Sequence, residues 1–189
     1  MKTVGILLAG GKSRRFGSPK AFATHEGHEF YHYSLDALRP FCDEIVVVAR
    51  PEFVRCFPDT VHVTTDLETF AGMGPLAGIL SAMDKIAADR YVVLPCDMPF
   101  IVAGVMGKLL ELHVGDISAV TVDGKRHPLV SIWNANVKPS IRQALLDDNR
   151  RVMHVQSQHE GQWIEGVLLT DTPEIAFKNV NTPCELERG

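Results

Sequence analysis

Leu8-Ala9-Gly10-Gly11-Lys12-Ser13-Arg14-Arg15-Phe16-Gly17-Ser18-Pro19-Lys20 joins three glycines to four fixed positive charges directly behind an apolar run. Glycine lets the backbone turn sharply and brings its N–H groups close to phosphate oxygens, while Arg and Lys supply charge from the side. The run before it, Val4 to Leu8, reads as a buried strand, so the stretch hangs from the carboxyl end of a sheet. No acid precedes Glu26, although the whole chain carries a net charge of -4. Positive charge is therefore concentrated at one place, as a polyphosphate site requires.

Two familiar phosphate loops fail on counting. Gly11-Lys12-Ser13 mimics the end of a Walker A loop, but that motif needs glycine where Ile6 stands, and Gly5 lies one residue away inside the strand. The dinucleotide fingerprint G-x-G-x-x-G fits no register of Gly10, Gly11 and Gly17.

A chain of 189 residues is long enough for one α/β domain with a real core and short for two, so a single domain over 1–189 is expected. An apolar fraction of 46% and a charged fraction of 22% are those of an ordinary soluble globule. No apolar run approaches a membrane span, and Met1-Lys2 leads straight into a strand rather than a signal peptide, which predicts a cytoplasmic protein without membrane contact. The acidic balance excludes a protein that coats nucleic acid, which needs a broad basic face. Cys42, Cys56, Cys96 and Cys184 are irregularly spaced with no C-x-x-C pair, so they read as reduced thiols, Cys96 as a packing residue beside Asp97.

Apolar runs alternate with helical patterns along the chain, the mark of an α/β domain with a largely parallel sheet covered on both faces. The patterns predict a short strand at Ala21 to Thr24 turning at Glu26-Gly27, then a helix from Phe30 stopped by Pro40. Further strands are expected at Glu44 to Ala49, Val61 to Thr64, Arg90 to Pro95, Ile117 to Val122, Leu129 to Trp133, Trp163 to Leu169 and Ile175 to Lys178. Pro51 to Phe57 reads as a short helix or turn, and helices are expected from Pro75 to about Ala87, Val102 to Leu112 and Val137 to Leu146, with a short one beginning at Arg150-Arg151. Thr182 and Pro183 read as cap and first residue of a C-terminal helix. His25, His28 and His32 lack a carboxylate or Cys to complete a metal set and read as a polar face.

Three places past strand ends carry chemistry. Asp66 can accept hydrogen bonds from a ribose or base edge, or cap the following turn. Gly74-Pro75 launches a helix whose first N–H groups face the same sheet edge. Asp97, in Cys96-Asp97-Met98-Pro99, follows a strand of the kind that precedes Gly10, and ligands of open α/β sheets bind outside the carboxyl ends of strands. The natural bridge between a carboxylate and a triphosphate is Mg²⁺, which takes one or two carboxylates plus substrate oxygens. Lys125-Arg126-His127-Pro128, after the tight turn Asp123-Gly124, is either a seat for a second anionic substrate or a solvated loop.

Leu8 to Gly11 with Arg15 and Lys20 resembles the opening signature of nucleotidyltransferases. Adding Gly74 to Gly78, Pro95 to Pro99, His127-Pro128, Arg150-Arg151-Val152-Met153 and Asn179-Val180-Asn181-Thr182-Pro183, nearly the whole chain resembles the bacterial molybdenum cofactor guanylyltransferases. The arginine pair and the Asn-Val-Asn-Thr-Pro ending are the narrower marks. The resemblance implies a Rossmann-like, nucleotide-diphospho-sugar transferase-like sheet. It also implies transfer of GMP from GTP to the terminal phosphate of molybdopterin, releasing pyrophosphate, with Mg²⁺ as cofactor and transient contact with molybdoenzyme apoproteins. By carry-over, Leu8, Ala9, Gly10, Gly11, Lys20, Asp66 and Asp97 contact GTP, and Asp97 also holds the metal. Arg15, Lys20 and Asp97 carry the catalysis, and Arg151, Asn179 and Asn181 face the pterin. The family often has an Asn just after the second core strand, where this chain has Ala49-Arg50. A cytidylyltransferase on the same acceptor, or a carrier that binds GTP or pterin without turnover, are the alternatives. Three groups around the α-phosphate suit a catalyst better than a carrier.

The expected chemistry needs no general base. A phosphate monoester, with a second pKa of about 6, is mostly ionised at neutral pH and attacks as it stands.

Overall fold

The computed structural model describes residues 1–11 and 19–181. Arg15, its neighbours in 12–18, Thr182, Pro183 and Cys184 lie outside the described residues.

The chain opens with β1 (Thr3–Leu8), a run of apolar residues buried on both faces. Val4 and Ile6 face one core while Leu7 faces another, the period-two alternation that makes a central strand read as uninterrupted hydrophobic sequence. A small hairpin, β2 (Thr24–His25) and β3 (His28–Glu29), turns at Glu26-Gly27, both residues having positive φ. It leads into α1 (Phe30–Leu38), whose Phe30, Tyr31, Ser34, Leu35 and Leu38 are buried at helical spacing. A 3-10 turn containing Pro40 ends it. Next come β4 (Glu44–Val48), β5 (Val63–Thr64), α2 (Pro75–Lys85), β6 (Arg90–Pro95), α3 (Ala103–Glu111), β7 (Ile117–Val122), β8 (Lys125–Asn134) and α4 (Lys138–Leu146). The described chain closes with α5 (Val152–Gln156), β9 (Gly161–Glu165) and α6 (Pro173–Ala176).

Seven strands form one sheet in the order β5-β4-β1-β6-β8-β7-β9. All neighbours pair in parallel except those of β8, which runs against both β6 and β7. The helices cover both faces. α2 and α4 pack over Val4, Ile6, Val46, Tyr91, Val93 and Trp133, while α1 and α3 pack over Val92, Leu94, Val120 and Ile132. The chain thus leaves β1 by α1 to reach β4 on one side and returns by α2 to reach β6 on the other. A crevice opens where connections diverge in this way, at the carboxyl ends of β1 and β6.

Four expectations need correcting. Ala21-Phe22 belongs to a 3-10 turn over Lys20–Phe22, not a strand, because Phe22 tucks its ring against Tyr31, Phe53 and Phe57. β8 starts at Lys125 rather than Leu129, since Asp123 and Gly124, both with positive φ, complete a two-residue hairpin turn by themselves. The strand at Trp163 ends at Glu165, where Gly166 lies so close to Val122 and Pro173 that the chain turns into a 3-10 helix. Ile175 lies in a helix, begun by Pro173 at its first turn.

The parallel pairing of β9 with β7 depends on a close approach. A Cβ on Gly161 would run into the Ile117 carbonyl, whose carbon lies 3.0 Å from that position. Gly161→Ala is expected to lose roughly 1–3 kcal/mol, read as a lowered urea midpoint, because backbone rather than a flexible side chain must give way.

His113, at the end of α3, is held by Ser118 Oγ at 2.8 Å and Asn134 Oδ1 at 3.2 Å. Desolvation, with a smaller contribution from Arg90, pulls its pKa below the usual value. A histidine depressed in the folded state binds fewer protons there than in the unfolded chain. Its contribution is therefore complete above the unfolded pKa and is lost as pH falls through the window down to the folded one. The urea midpoint should drop between about pH 7 and pH 5, more shallowly in His113→Gln. An equal slope in that variant would remove His113 from the explanation.

Candidate functional site

The register of the central strands carries two distant segments to one place. Leu8 lies opposite both Val48 and Pro95, and the ladder continues past the strands through Ala9 N–H to the Val48 carbonyl at 2.8 Å and Cys96 N–H to the Leu8 carbonyl at 3.1 Å. Gly10 and Asp97 therefore leave adjacent strands side by side. Both line a cavity of about 890 Å³ that spans the sheet edge, together with Leu8, Ala9, Gly11 and Lys20.

Lys20 is the hub of this cavity. Its ammonium donates to Asp97 Oδ2 at 3.1 Å and to Asn181 Oδ1 at 2.7 Å. The Lys20 and Asp97 side chains are 13% and 24% exposed, so the pair is shielded yet open to a ligand. The segment that carries Asn179 and Asn181 is anchored by Val180, which is fully buried and donates its N–H to the Asp97 carbonyl at 2.8 Å. Asn179 and Asn181 both line the cavity.

Packing among the described residues does not require glycine at Gly10 or Gly11. Among the described residues a Cβ on Gly11 would meet nothing within 4 Å, and one on Gly10 would only graze Arg50 Cγ at 3.9 Å and the Val48 carbonyl oxygen at 4.0 Å. Room at both positions suits close approach of a ligand to the backbone.

Asp66 caps the following turn, one of the two readings of its position, and stands where a ligand in the cavity could reach it. Its Oδ2 accepts the Gly72 N–H at 3.0 Å, capping the turn before α2, and the residue lines the cavity beside Gly74, Pro75 and Gly78. Arg151 is placed differently. It is exposed, stands immediately before α5, and is not among the described residues that line the cavity.

Two parts of the wall are settled only by the fold. Arg50 and Glu52 form an ion pair at 2.6 Å at the β4 end, where the position of Arg50 just past a strand was the available signal. At the β8 end, Lys125 to Val130 line the cavity, where the sequence left Lys125 to Pro128 open between a second anion seat and a solvated loop. A two-residue reading of Asp123-Gly124 brings these residues into the strand.

Cys96 also lines the cavity, but burial and the adjacent Asp97 push its thiol up to about 12, so it stays protonated and inert as a nucleophile. Burial and Lys125 likewise lower the pKa of His127, keeping its imidazole neutral near pH 7. Among the described residues no helix is long and apolar enough to cross a membrane.

A parallel sheet edge that gathers two glycines, a shielded lysine and a carboxylate around one cavity is that of an α/β protein that handles nucleotides. The family model described as MobA-like NTP transferase domain matches residues 5–162. A probable molybdenum cofactor guanylyltransferase of Geobacillus sp. (strain WCH70) is 37% identical, covering 98% of this chain and 97% of its own length. One from Bacillus subtilis (strain 168) is 36% identical over 96% and 92%. Among solved structures, molybdopterin-guanine dinucleotide biosynthesis protein A of Archaeoglobus fulgidus shares the fold with a TM-score of 0.80 at 24% identity, over 98% and 95% of the two chains. The chain belongs to the MobA-like NTP transferase family, and it is a nucleotidyltransferase.

Proposed function

We propose that the protein transfers GMP from GTP to the terminal phosphate of molybdopterin, forming the guanine dinucleotide and releasing pyrophosphate, with Mg²⁺ held at Asp97. The observation that carries this reading is the Lys20 ammonium lying 3.1 Å from Asp97 and 2.7 Å from Asn181, in the cavity that Gly10 and Gly11 also line.

The donor chemistry suits magnesium. Among the described residues no group of three or more His, Cys, Asp or Glu could hold a metal ion, so a metal here would take the Asp97 carboxylate and complete its shell with phosphate oxygens and water. Mg²⁺ is bound in that way, whereas zinc and calcium want several protein donors. When bound it supplies positive charge against the phosphates.

Within this reading an oxygen of the acceptor phosphate forms a bond to the α-phosphorus of GTP, and the bond from that phosphorus to the bridging oxygen of pyrophosphate breaks. Both partners are anions, and charge spreads over the equatorial oxygens as they meet. Lys20 neutralises that charge from a position already set by Asp97 and Asn181, so little reorganisation accompanies the reaction. Backbone N–H groups at Gly10 and Gly11 cradle the phosphates, Asp66 and the α2 N-terminus face the nucleoside, and Asn179 and Asn181 face the acceptor. The family resemblance adds Arg15 as a further cation for the phosphates, while Arg151, off the cavity wall, makes no contact among the described residues that gives it a part.

Pyrophosphate release measured with GTP or CTP, each with and without molybdopterin, tests the whole reading. Release with GTP only when the acceptor is present supports it. Preference for CTP would replace the nucleotide, and tight binding of both ligands without release would make the protein a carrier.

A further inference from the structure

We propose that the cavity wall under the β7–β8 hairpin is a stacking subsite for a planar, electron-rich heterocycle, built from Arg126 held on Trp163, and that it receives the ring system of the acceptor. The proposal rests on the functional reading above for the identity of that ring.

The wall is made by an irregularity in the sheet. β7 and β8 pair Ala119 with Ser131 and then Val120 with His127, leaving Pro128, Leu129 and Val130 of β8 looped out between them. Bulges re-aim a strand, and this one carries Arg126 and His127 into the cavity lining. Gln156, at the end of α5, pins the bulge by donating its Nε2 to the Pro128 carbonyl at 2.9 Å.

Arg126 is held in a defined pose. Its guanidinium carbon lies 4.9 Å from the centre of the Trp163 ring. Arg126 lines the cavity, whereas Trp163 is not among the described residues that do, and the proposal sets the indole behind the guanidinium and the ligand ring on its other face. A guanidinium held over an aromatic ring can stack on a second planar π-system. Lys125 adds positive potential at the same wall, which favours an electron-rich ring. The phosphate end of the acceptor is already provided for by Lys20, so the two ends of one molecule fall to two different cations.

Steady-state constants of Arg126→Ala for molybdopterin and GTP test the subsite, with phosphate-free hydroxymethylpterin as competing ligand. Loss of the stacked face is expected to raise the KM for molybdopterin about tenfold and leave that for GTP unchanged, and to abolish inhibition by hydroxymethylpterin. Arg126→Lys should not restore either property, because an ammonium has no face to stack. An unchanged molybdopterin KM in Arg126→Ala, or full recovery in Arg126→Lys, would overturn the proposal. If the wild-type protein released no pyrophosphate, the functional reading would fall alone. Direct binding of hydroxymethylpterin, followed by its fluorescence, would still decide the subsite, a lost affinity in Arg126→Ala supporting it and an equal affinity sinking it.

Discussion

Asp97→Asn is expected to lower kcat by about 10³-fold or more while the protein melts within about 2 °C of wild type. The fold should hold because the new amide oxygen can still accept from Lys20, and because Val180 is anchored on the Asp97 backbone carbonyl, which the substitution leaves alone. What disappears is the carboxylate charge at the end of β6, beside Gly10 at the end of β1. A neutral amide is a poor ligand for a hard divalent cation, so the magnesium dependence of any residual turnover should move to higher concentration. Pyrophosphate release across a magnesium titration reads both effects. Wild-type turnover with an unshifted titration would refute Asp97 as the metal ligand.

Lys20→Met should produce the next largest loss, roughly 10²–10³-fold in kcat with a smaller rise in the KM for GTP. The asymmetry follows from where the charge acts. An ammonium facing the phosphates gains most when negative charge spreads over the α-phosphoryl oxygens, so its removal weighs on the transition state more than on the bound ground state. Methionine keeps much of the apolar stem, and Asp97, about a quarter exposed, regains water in place of its partner. Hydrogen exchange at the Val180 amide offers a control, since its bond to the Asp97 carbonyl does not involve Lys20 and should stay protected. An unchanged kcat would take Lys20 out of the chemistry and leave it a strut between Asp97 and Asn181.

Much of the central sheet is legible in the sequence. β1, β4, β6 and β7 are dense in β-branched and apolar residues and bounded by turn signals, so their positions follow from pattern alone. The C-terminal third was read less well. Ile175 and its apolar neighbours look like a strand until Pro173 is given its weight as a helix opener, and the strand at Trp163 runs on in sequence past the point where Gly166 is squeezed against Val122 and Pro173. Short apolar runs do not state their own period. Tertiary contact decides for them.

The residues themselves determined that an anion cradle follows a buried strand and that a second strand ends in an aspartate, because glycine, charge and hydrophobic runs are local properties of the chain. Only the tertiary structure decided that the ammonium of Lys20 sits between Asp97 and Asn181, that Asp66 both caps a turn and lines the cavity, and that Arg126 lies on Trp163 while Arg151 stays off the wall. Those relations join residues far apart in the chain. They depend on the parallel register of β1 with β6 and on the bulge in β8, which no single stretch of sequence encodes.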